Sequence, residues 1–200
     1  MRGEVWKRLD NPPVARAAEL RELLLEPEEA STIEVAGRTA AAVLVPLYLD
    51  RGELHAVFTK RRADLRRHAG EISFPGGRQD DGETLVTTAL REAEEEIGLS
   101  REAVDLAGAL PPTPTVVTSY RIHPFVGVIK PGHAWVPQPT EVETVLELSL
   151  PALLRGHEMK RLVRKGVPFR TVTYTVGDHL VWGATARIVE SLVARLEPLL

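Results

Sequence analysis

Hydrophobic positions along the chain follow two spacings, one typical of strands and one typical of helices. Residues 38–50 and 54–59 are dense in Ala, Val and Leu, which predicts two buried strands joined by a turn at Arg51 and Gly52. Pro46 in the first strand predicts an edge position or a bulge, because proline lacks the amide hydrogen that a ladder needs. Further strands are predicted near residues 104–110, 119–130, 142–149, 169–176 and 179–182, the last two forming a hairpin around Gly177 and Asp178.

Helical spacing of apolar residues occurs between and beyond these strands. The first helix begins at Pro12 and Pro13, and Pro27 marks its end, because proline is tolerated in the first turn of a helix and not in its interior. The predicted helices cover residues 12–30, 83–97, a short stretch that opens at Pro151, and an amphipathic segment over residues 184–196.

Strands that alternate with helices predict an α/β fold in which one mixed sheet is covered on both faces. Residues 60–82 predict a loop, and residues 111–114 and 131–139 are too dense in proline for a regular element. We expect residues 1–31 to form an N-terminal helical extension and residues 32–200 to form a single domain.

Composition narrows the function classes. The 200 residues carry a net charge of -3, with 44% hydrophobic and 26% charged residues, as in soluble globular proteins. This charge gives no global positive field, so we expect no nucleic-acid partner. The lack of cysteine removes thiolate metal sites and fits a reducing cytoplasm. No apolar run approaches the length of a membrane span, so we expect a cytoplasmic location and no membrane association, and the oligomeric state stays open.

Carboxylates cluster on the predicted helix at residues 83–97. At about 100° per residue, Glu92, Glu95 and Glu96 share an arc of about one hundred degrees. The adjacent arc is apolar, which predicts that one face of the helix is core and the next face is acidic. Glu94 falls away from the cluster, and we expect it to be solvated.

Two interpretations of this cluster are open. Like charges at helical neighbour spacing cost about 0.2–0.5 kcal/mol per pair, so three together are either a solvated acidic face or a site with a cation. Mg²⁺ and Mn²⁺ prefer oxygen ligands, which carboxylates, waters and phosphates supply. Gly76 and Gly77 favour the metal site, because a tight loop leaves backbone groups free to meet a ligand. Arg91 is spaced to pair with Glu95, and it could instead reach back to Glu83.

These residues match a known pattern. Gly77 is followed after five residues by Glu83, and after seven more by the run Arg91-Glu92-Ala93-Glu94-Glu95-Glu96-Ile97-Gly98-Leu99. The chain therefore resembles the Nudix hydrolases at every fixed position of their box. The resemblance implies an α/β/α sandwich with a mixed β-sheet between helices, a divalent metal ion, and cleavage of nucleoside diphosphates linked to another group. It also implies that Glu92, Glu95 and Glu96 are catalytic metal ligands, and that Glu83 and Arg91 hold the loop and helix together.

A basic segment precedes the box, with five Lys or Arg within residues 60–67. A solvated loop or a weak nucleic-acid surface would explain the charge alone. Its place directly before the predicted metal site favours contact with the same polyanionic ligand. The pattern Thr59, Arg61, Arg66, Gly70 and Phe74-Pro75-Gly76-Gly77 resembles the signature of coenzyme A pyrophosphatases, a Nudix subfamily.

This second resemblance implies that coenzyme A is the substrate and indicates which residues bind it. Two positions depart from the signature, since Arg62 stands where a small Ser or Ala is usual and Val57 stands where Leu is usual. The extra arginine changes the local packing or adds a phosphate contact. The expected substrate-binding residues are Arg61, Arg66, Phe74, Gly76 and Gly77.

The expected reaction is metal-dependent hydrolysis of the pyrophosphate bond of coenzyme A or its derivatives, with Mg²⁺ or Mn²⁺. The general base is either a box glutamate acting through a metal-bound water, or Glu141 or Glu143, of which strand alternation is expected to let only one face the site. The alternatives are the same scaffold acting on ADP-ribose, a dinucleoside polyphosphate or a nucleoside triphosphate, and a Nudix-fold sensor that binds a nucleotide without cleaving it.

Overall fold

The computed structural model describes residues 13–65, 68–115, 119–164 and 166–200. Five α-helices lie within these ranges: α1 (Pro13–Leu23), α2 (Pro27–Thr32), α3 (Leu85–Ile97), α4 (Leu150–Arg155) and α5 (Gly183–Leu196). Eleven strands lie within them: β1 (Thr39–Asp50), β2 (Glu53–Arg61), β3 (Ile72–Ser73), β4 (Gly76–Arg78), β5 (Asp105–Ala109), β6 (Thr113–Pro114), β7 (Tyr120–Val128), β8 (Val142–Ser149), β9 (His157–Arg164), β10 (Val167–Val176) and β11 (His179–Trp182).

The main sheet is mixed, as the sequence predicted. Its eight strands follow the order β3-β2-β1-β7-β5, with β8 on β2, β4 on β1 and β6 on β7. Strand β1 pairs in parallel with β7, and the other pairings of this sheet are antiparallel. On its other side, β1 pairs with β2 through residues 47–50 and with β4 through residues 41–43. Pro46 falls between these two partners of an interior strand, so the edge position predicted for it is wrong.

Helices cover both faces of this sheet, and β1 shows how the sequence divides them. Side chains alternate across a strand, so Ala42 and Leu44 face one side while Val43 and Val45 face the other. The first side is packed by α3, and the second side is packed by α5. The result is an α/β/α sandwich, which confirms the predicted fold class.

The N-terminal segment packs on this domain as two helices, where the sequence predicted one. Helix α1 ends at Leu23, and Pro27 then occupies the first turn of α2, where its missing N–H costs nothing. Leu25 exchanges backbone hydrogen bonds of 3.0 and 2.9 Å with Ala109 between the helices. Leu20 of α1 is 1% exposed and belongs to the core on the α5 side.

Three further differences concern strands that pairing creates. Residues 111–114, predicted to hold no regular element, contain the short strand β6, which pairs with β7. The region predicted as a loop at residues 60–82 contains β3 and β4, which exist through their pairing with β2 and β1. Strand β9 has no counterpart among the sequence predictions; it pairs with β10, and β11 completes a separate three-stranded sheet. Over the described ranges, no helix has both the length and the hydropathy needed to cross a bilayer.

Candidate active site

Helix α3 presents the three clustered glutamates at different depths. Thr84 caps its first turn by accepting from the amide of Thr87 at 3.1 Å, and Gly98 ends it in the left-handed conformation that glycine tolerates. Along the wheel, exposure rises with distance from the buried apolar face. The side chain of Glu96 is 9% exposed, that of Glu92 18% and that of Glu95 58%.

Glu96 is a buried carboxylate whose negative charge is only partly compensated by neighbouring groups. The amide of Gly76 donates to its Oε2 at 3.3 Å, and Nη1 of Arg61 lies 4.0 Å from its Oε1. Burial is the main reason that the pKa of Glu96 is raised to about 8, and the charges of Glu92 and Glu141 add to it. The pKa of Glu92 is raised as well, again mainly by burial. These carboxylates lie where positive charge would be favourable.

Gly76 and Gly77 allow the loop to approach both β1 and α3. A Cβ on Gly76 would lie 2.3 Å from the carbonyl oxygen of Ala42 and 2.6 Å from Cα of Val43, so this contact belongs to the sheet. A Cβ on Gly77 would lie 2.3 Å from Oε1 of Glu92, so this contact belongs to the carboxylate cluster. The two glycines therefore have different steric roles. The lack of a side chain at Gly76 lets the loop pack against β1, and the lack of one at Gly77 leaves room for the Glu92 carboxylate.

Glu83, in the loop before α3, is hydrogen-bonded to Arg91 of the helix. Nε of Arg91 donates to Oε1 of Glu83 at 2.8 Å, and the hydroxyl of Thr88 donates to Oε2 at 2.8 Å. The amide of Asp80 donates to the same carboxylate at 3.4 Å. The Arg91 hydrogen bond, followed by that from Thr88, lowers the pKa of Glu83 to about 2, so this carboxylate stays ionised at any physiological pH.

Arg91 also contacts the metal-ligand candidates. Its Nη1 lies 3.2 Å from Oε2 of Glu95, so the predicted alternatives, Glu95 and Glu83, both occur. The same Nη1 lies 2.9 Å from Oε1 of Glu92, a contact that the sequence did not predict. Within the described ranges, no three acidic or histidine side chains converge on one cation-sized point. Glu94 points away and pairs at 3.5 Å with exposed Arg101, instead of being only solvated.

The chemistry of these donors suits a hard divalent cation, although three of them do not converge on one point in this arrangement. Carboxylate oxygens are the ligands that Mg²⁺ and Mn²⁺ prefer, and the raised pKa values of Glu92 and Glu96 mark negative charge that the protein compensates incompletely. A cation held by all three box glutamates would take Glu92 and Glu95 from Nη1 of Arg91, which keeps Glu83 through Nε. The contact of Arg91 with the loop uses a different nitrogen from its contacts with Glu92 and Glu95.

The basic segment brings one predicted substrate contact directly to the carboxylates. Nη1 of Arg61 lies 3.3 Å from Oε2 of Glu141, in addition to its approach to Glu96. Nε of Arg61 is buried and has no hydrogen-bond partner among the described residues. Phe74 lies in the core, stacked on Phe58 with ring centroids 4.4 Å apart, and its 2% exposure leaves no surface for a ligand. Arg66 falls outside the described residues.

Glu141 and Glu143 face different surroundings. Glu141 meets Arg61, and its charge raises the pKa of Glu92 and Glu96, whereas Glu143 pairs with Nζ of Lys60 at 2.7 Å. Residues two apart in a regular strand share a face, so alternation alone would not separate them. The β2–β8 register shifts between Lys60 and Arg61, and this irregularity leaves Glu141 on the carboxylate side.

Comparisons with known proteins identify the family of this chain. The NUDIX domain family matches residues 38–165, more than half of the chain. An uncharacterized Nudix hydrolase of Cronobacter sakazakii, NudL, is 40% identical over 159 residues, which cover 78% of this chain and 82% of that protein. NudL of Escherichia coli is 36% identical over 167 residues, or 82% and 85% of the two chains. The chain belongs to the NUDIX family.

Solved structures share the fold of this Nudix protein. The MutT/nudix family protein of Enterococcus faecalis has a TM-score of 0.57 and 12% identity, over 86% of this chain and 66% of the other. The NUDIX domain of Shewanella oneidensis NrtR, solved with ADP ribose, has a TM-score of 0.54 and 14% identity, over 84% and 97%. At these identities the likeness establishes the fold alone.

Two contributors to the Nudix site were not anticipated from the sequence. Thr88 holds Glu83, and no local pattern distinguishes it from an ordinary helix threonine. The proline-dense segment also closes the end of α3: the amides of Val136 and Gln138 donate to the carbonyls of Ile97 and Glu96 at 3.1 and 2.9 Å. The last carbonyls of a helix need hydrogen-bond donors from outside the helix, and only this general requirement could have indicated that another segment docks there.

Proposed function

We propose that this Nudix hydrolase cleaves the diphosphate bond of coenzyme A or its derivatives, releasing 3′,5′-ADP and 4′-phosphopantetheine or its acylated form. The observation that carries the proposal is the position of Arg61. This residue comes from the part of the sequence that resembles coenzyme A pyrophosphatases, and its guanidinium lies between Glu96 and Glu141. A planar guanidinium at the carboxylate cluster is suited to hold a diphosphate oxygen there.

Glu92, Glu95 and Glu96 would hold Mg²⁺ or Mn²⁺. When bound, the ion neutralises diphosphate charge and lowers the pKa of a water ligand. The need for such an ion follows from the charge balance, because the substrate and the three carboxylates are all anionic. Arg61 and Arg91 supply the cationic side chains that contact this cluster.

Arg61 and Glu141 have separate tasks in the proposed reaction. Arg61 orients the diphosphate through its Nη atoms, of which Nη1 lies at the carboxylate cluster. Glu141 accepts one proton from the attacking water, whose oxygen forms the new bond to phosphorus. The bridging oxygen leaves with the other phosphate, so one water is consumed for each pair of products. Glu143 is not the base in this scheme, because it pairs with Lys60 away from the cluster.

Product identification tests the proposal directly. The full chain is incubated with coenzyme A in ¹⁸O-labelled water with Mg²⁺ or Mn²⁺, and the products are resolved by mass spectrometry. We expect 3′,5′-ADP and 4′-phosphopantetheine, with the ¹⁸O label on one of the two. We expect no turnover in EDTA or in the Glu95→Gln and Glu96→Gln variants. If ADP-ribose is turned over as fast as coenzyme A or faster, ADP-ribose and not coenzyme A is the substrate. Binding without turnover of any diphosphate would identify a nucleotide sensor.

A further inference from the structure

A cleft of about 600 Å³ opens next to the carboxylate site. One side consists of Arg62, Ala63 and Asp64, directly after β2, and the other side includes Pro137 and Pro139, directly before β8. It lies beside the carboxylate site, because Arg62 and Val142 of its lining directly follow Arg61 and Glu141 in the chain, whose side chains meet at 3.3 Å.

Arg62 joins the two sides of this cleft. Its Nε and Nη2 donate to the two carboxylate oxygens of Asp64 at 2.9 and 2.7 Å, and its Nη1 donates to the carbonyl of Pro139 at 2.9 Å. Its backbone amide donates to the carbonyl of Glu141 at 3.0 Å. This arginine is the departure from the small residue of the coenzyme A pyrophosphatase signature. Its contacts with Pro139 and Glu141 hold the two sides of the cleft together.

Each charged side chain that lines the cleft is paired with one of opposite charge, whereas Arg61 faces two carboxylates. Arg62 is paired with Asp64, and Glu143 on the cleft wall is paired with Lys60. A phosphate group would meet two carboxylates here whose cations are already engaged. The remaining surface is apolar, from Val142 and the two proline rings. An uncharged ligand with apolar carbons and amide N–H groups suits this wall, because carboxylate and carbonyl oxygens accept from amides.

We propose that this cleft binds the uncharged pantetheine arm of the substrate, while the diphosphate lies at Arg61 and the nucleotide lies outside the cleft. The inference rests on coenzyme A being the substrate. The arm is an uncharged chain with two amides and a dimethyl carbon, and it leaves the diphosphate from the phosphorus opposite the nucleotide. A cleft that begins one residue from Arg61 and Glu141 is in position to receive it.

Blocking the cleft tests the proposal by kinetics. Ala63 is an exposed lining residue, and Ala63→Trp would add bulk to the cleft without replacing a residue of the carboxylate cluster. The matched control is Ala194→Trp, at an exposed position of α5. For Ala63→Trp we expect the KM for coenzyme A to rise at least about tenfold with kcat within about twofold, and the inhibition constant of 4′-phosphopantetheine to rise in parallel. The inhibition constant of 3′,5′-ADP, which lacks the arm, should not change, and Ala194→Trp should match the wild type throughout.

A binding measurement separates this inference from the proposed activity. Pantetheine is titrated into the ¹⁵N-labelled wild-type chain, and the amide shifts of Ala63, Asp64 and Glu143 are followed. Shifts at these amides support the cleft even if coenzyme A is not cleaved, in which case only the activity is wrong. Turnover of coenzyme A with equal constants in the two Trp variants overturns the cleft. Absence of shifts at these amides overturns it as well, and that result holds even if Ala63→Trp does not fold.

Discussion

Replacing Glu96 by glutamine should stabilise the metal-free protein while removing its activity. Burial, followed by the charges of Glu92 and Glu141, raises the pKa of Glu96 to about 8 from an ordinary value of 4.5. Between these two pH values the folded chain keeps a proton that the unfolded chain releases. The free energy of unfolding therefore falls as the pH rises through this window. Glutamine can still accept from the amide of Gly76, and it removes the ionisation.

The magnitude follows from the two pKa values. Each unit of difference corresponds to 1.36 kcal/mol, and summed from the unfolded value to neutral pH the loss is about 3 kcal/mol. Glu96→Gln should match the wild type near pH 4.5 and exceed its stability by about this amount at pH 7. With an unfolding slope of about 2 kcal/mol per molar urea, the midpoint would rise by about 1.5 M.

Urea unfolding followed by circular dichroism measures this difference, in EDTA, from pH 4.5 to 8. Mg²⁺ should then narrow the gap at pH 7, because it stabilises the wild type and not the variant. Glu94→Gln is the matched control, since Glu94 lies on the same helix but is exposed and paired with Arg101. An equal or lower midpoint for Glu96→Gln at pH 7, or the same pH dependence in all three proteins, would refute the reasoning.

Three further predictions follow from the site and the core. Glu141→Gln should lower kcat at least about tenfold while Glu143→Gln leaves kcat within about twofold, because only Glu141 faces the carboxylates; steady-state kinetics on coenzyme A decides, and equal losses would contradict the assignment. Gly77→Ala should lower kcat/KM at least about tenfold with an unchanged urea midpoint, because the added Cβ meets the flexible end of Glu92; a fully active variant would be the contrary result. Leu20→Ala should cost about 2–5 kcal/mol in urea unfolding, since this side chain is buried, and a loss under 1 kcal/mol would indicate a loosely attached helix.

Local patterns predicted the parts of the site that one helix encodes. The wheel placed Glu92, Glu95 and Glu96 beside the apolar face, and their exposure increases in the order that the wheel gives. The pairing of Arg91 with Glu83 was foreseen as an alternative and occurs together with the pairing to Glu95. Spacing determines such neighbours because the geometry of a helix is nearly fixed.

Features that depend on distant pairing were predicted less well. Strand β4 exists because β1 leaves β2 near Pro46 and accepts the glycine loop, which no short window of sequence reveals. The choice between Glu141 and Glu143 depends on a register shift opposite Lys60 and Arg61, on another strand. The motif predicts that Phe74 contacts the substrate, whereas its burial depends on a stacking partner on β2.

The docking of Val136 and Gln138 on the last turn of α3 limits how the chain can vary in length. These amides satisfy carbonyls of the helix that carries Glu96, so one added residue between them would leave a helix carbonyl without its donor and displace the wall formed by Pro137 and Pro139. The exposed residues 130–132 donate no hydrogen bond to the end of this helix. Natural insertions and engineered tags should therefore be accepted at that stretch and rejected a few residues later.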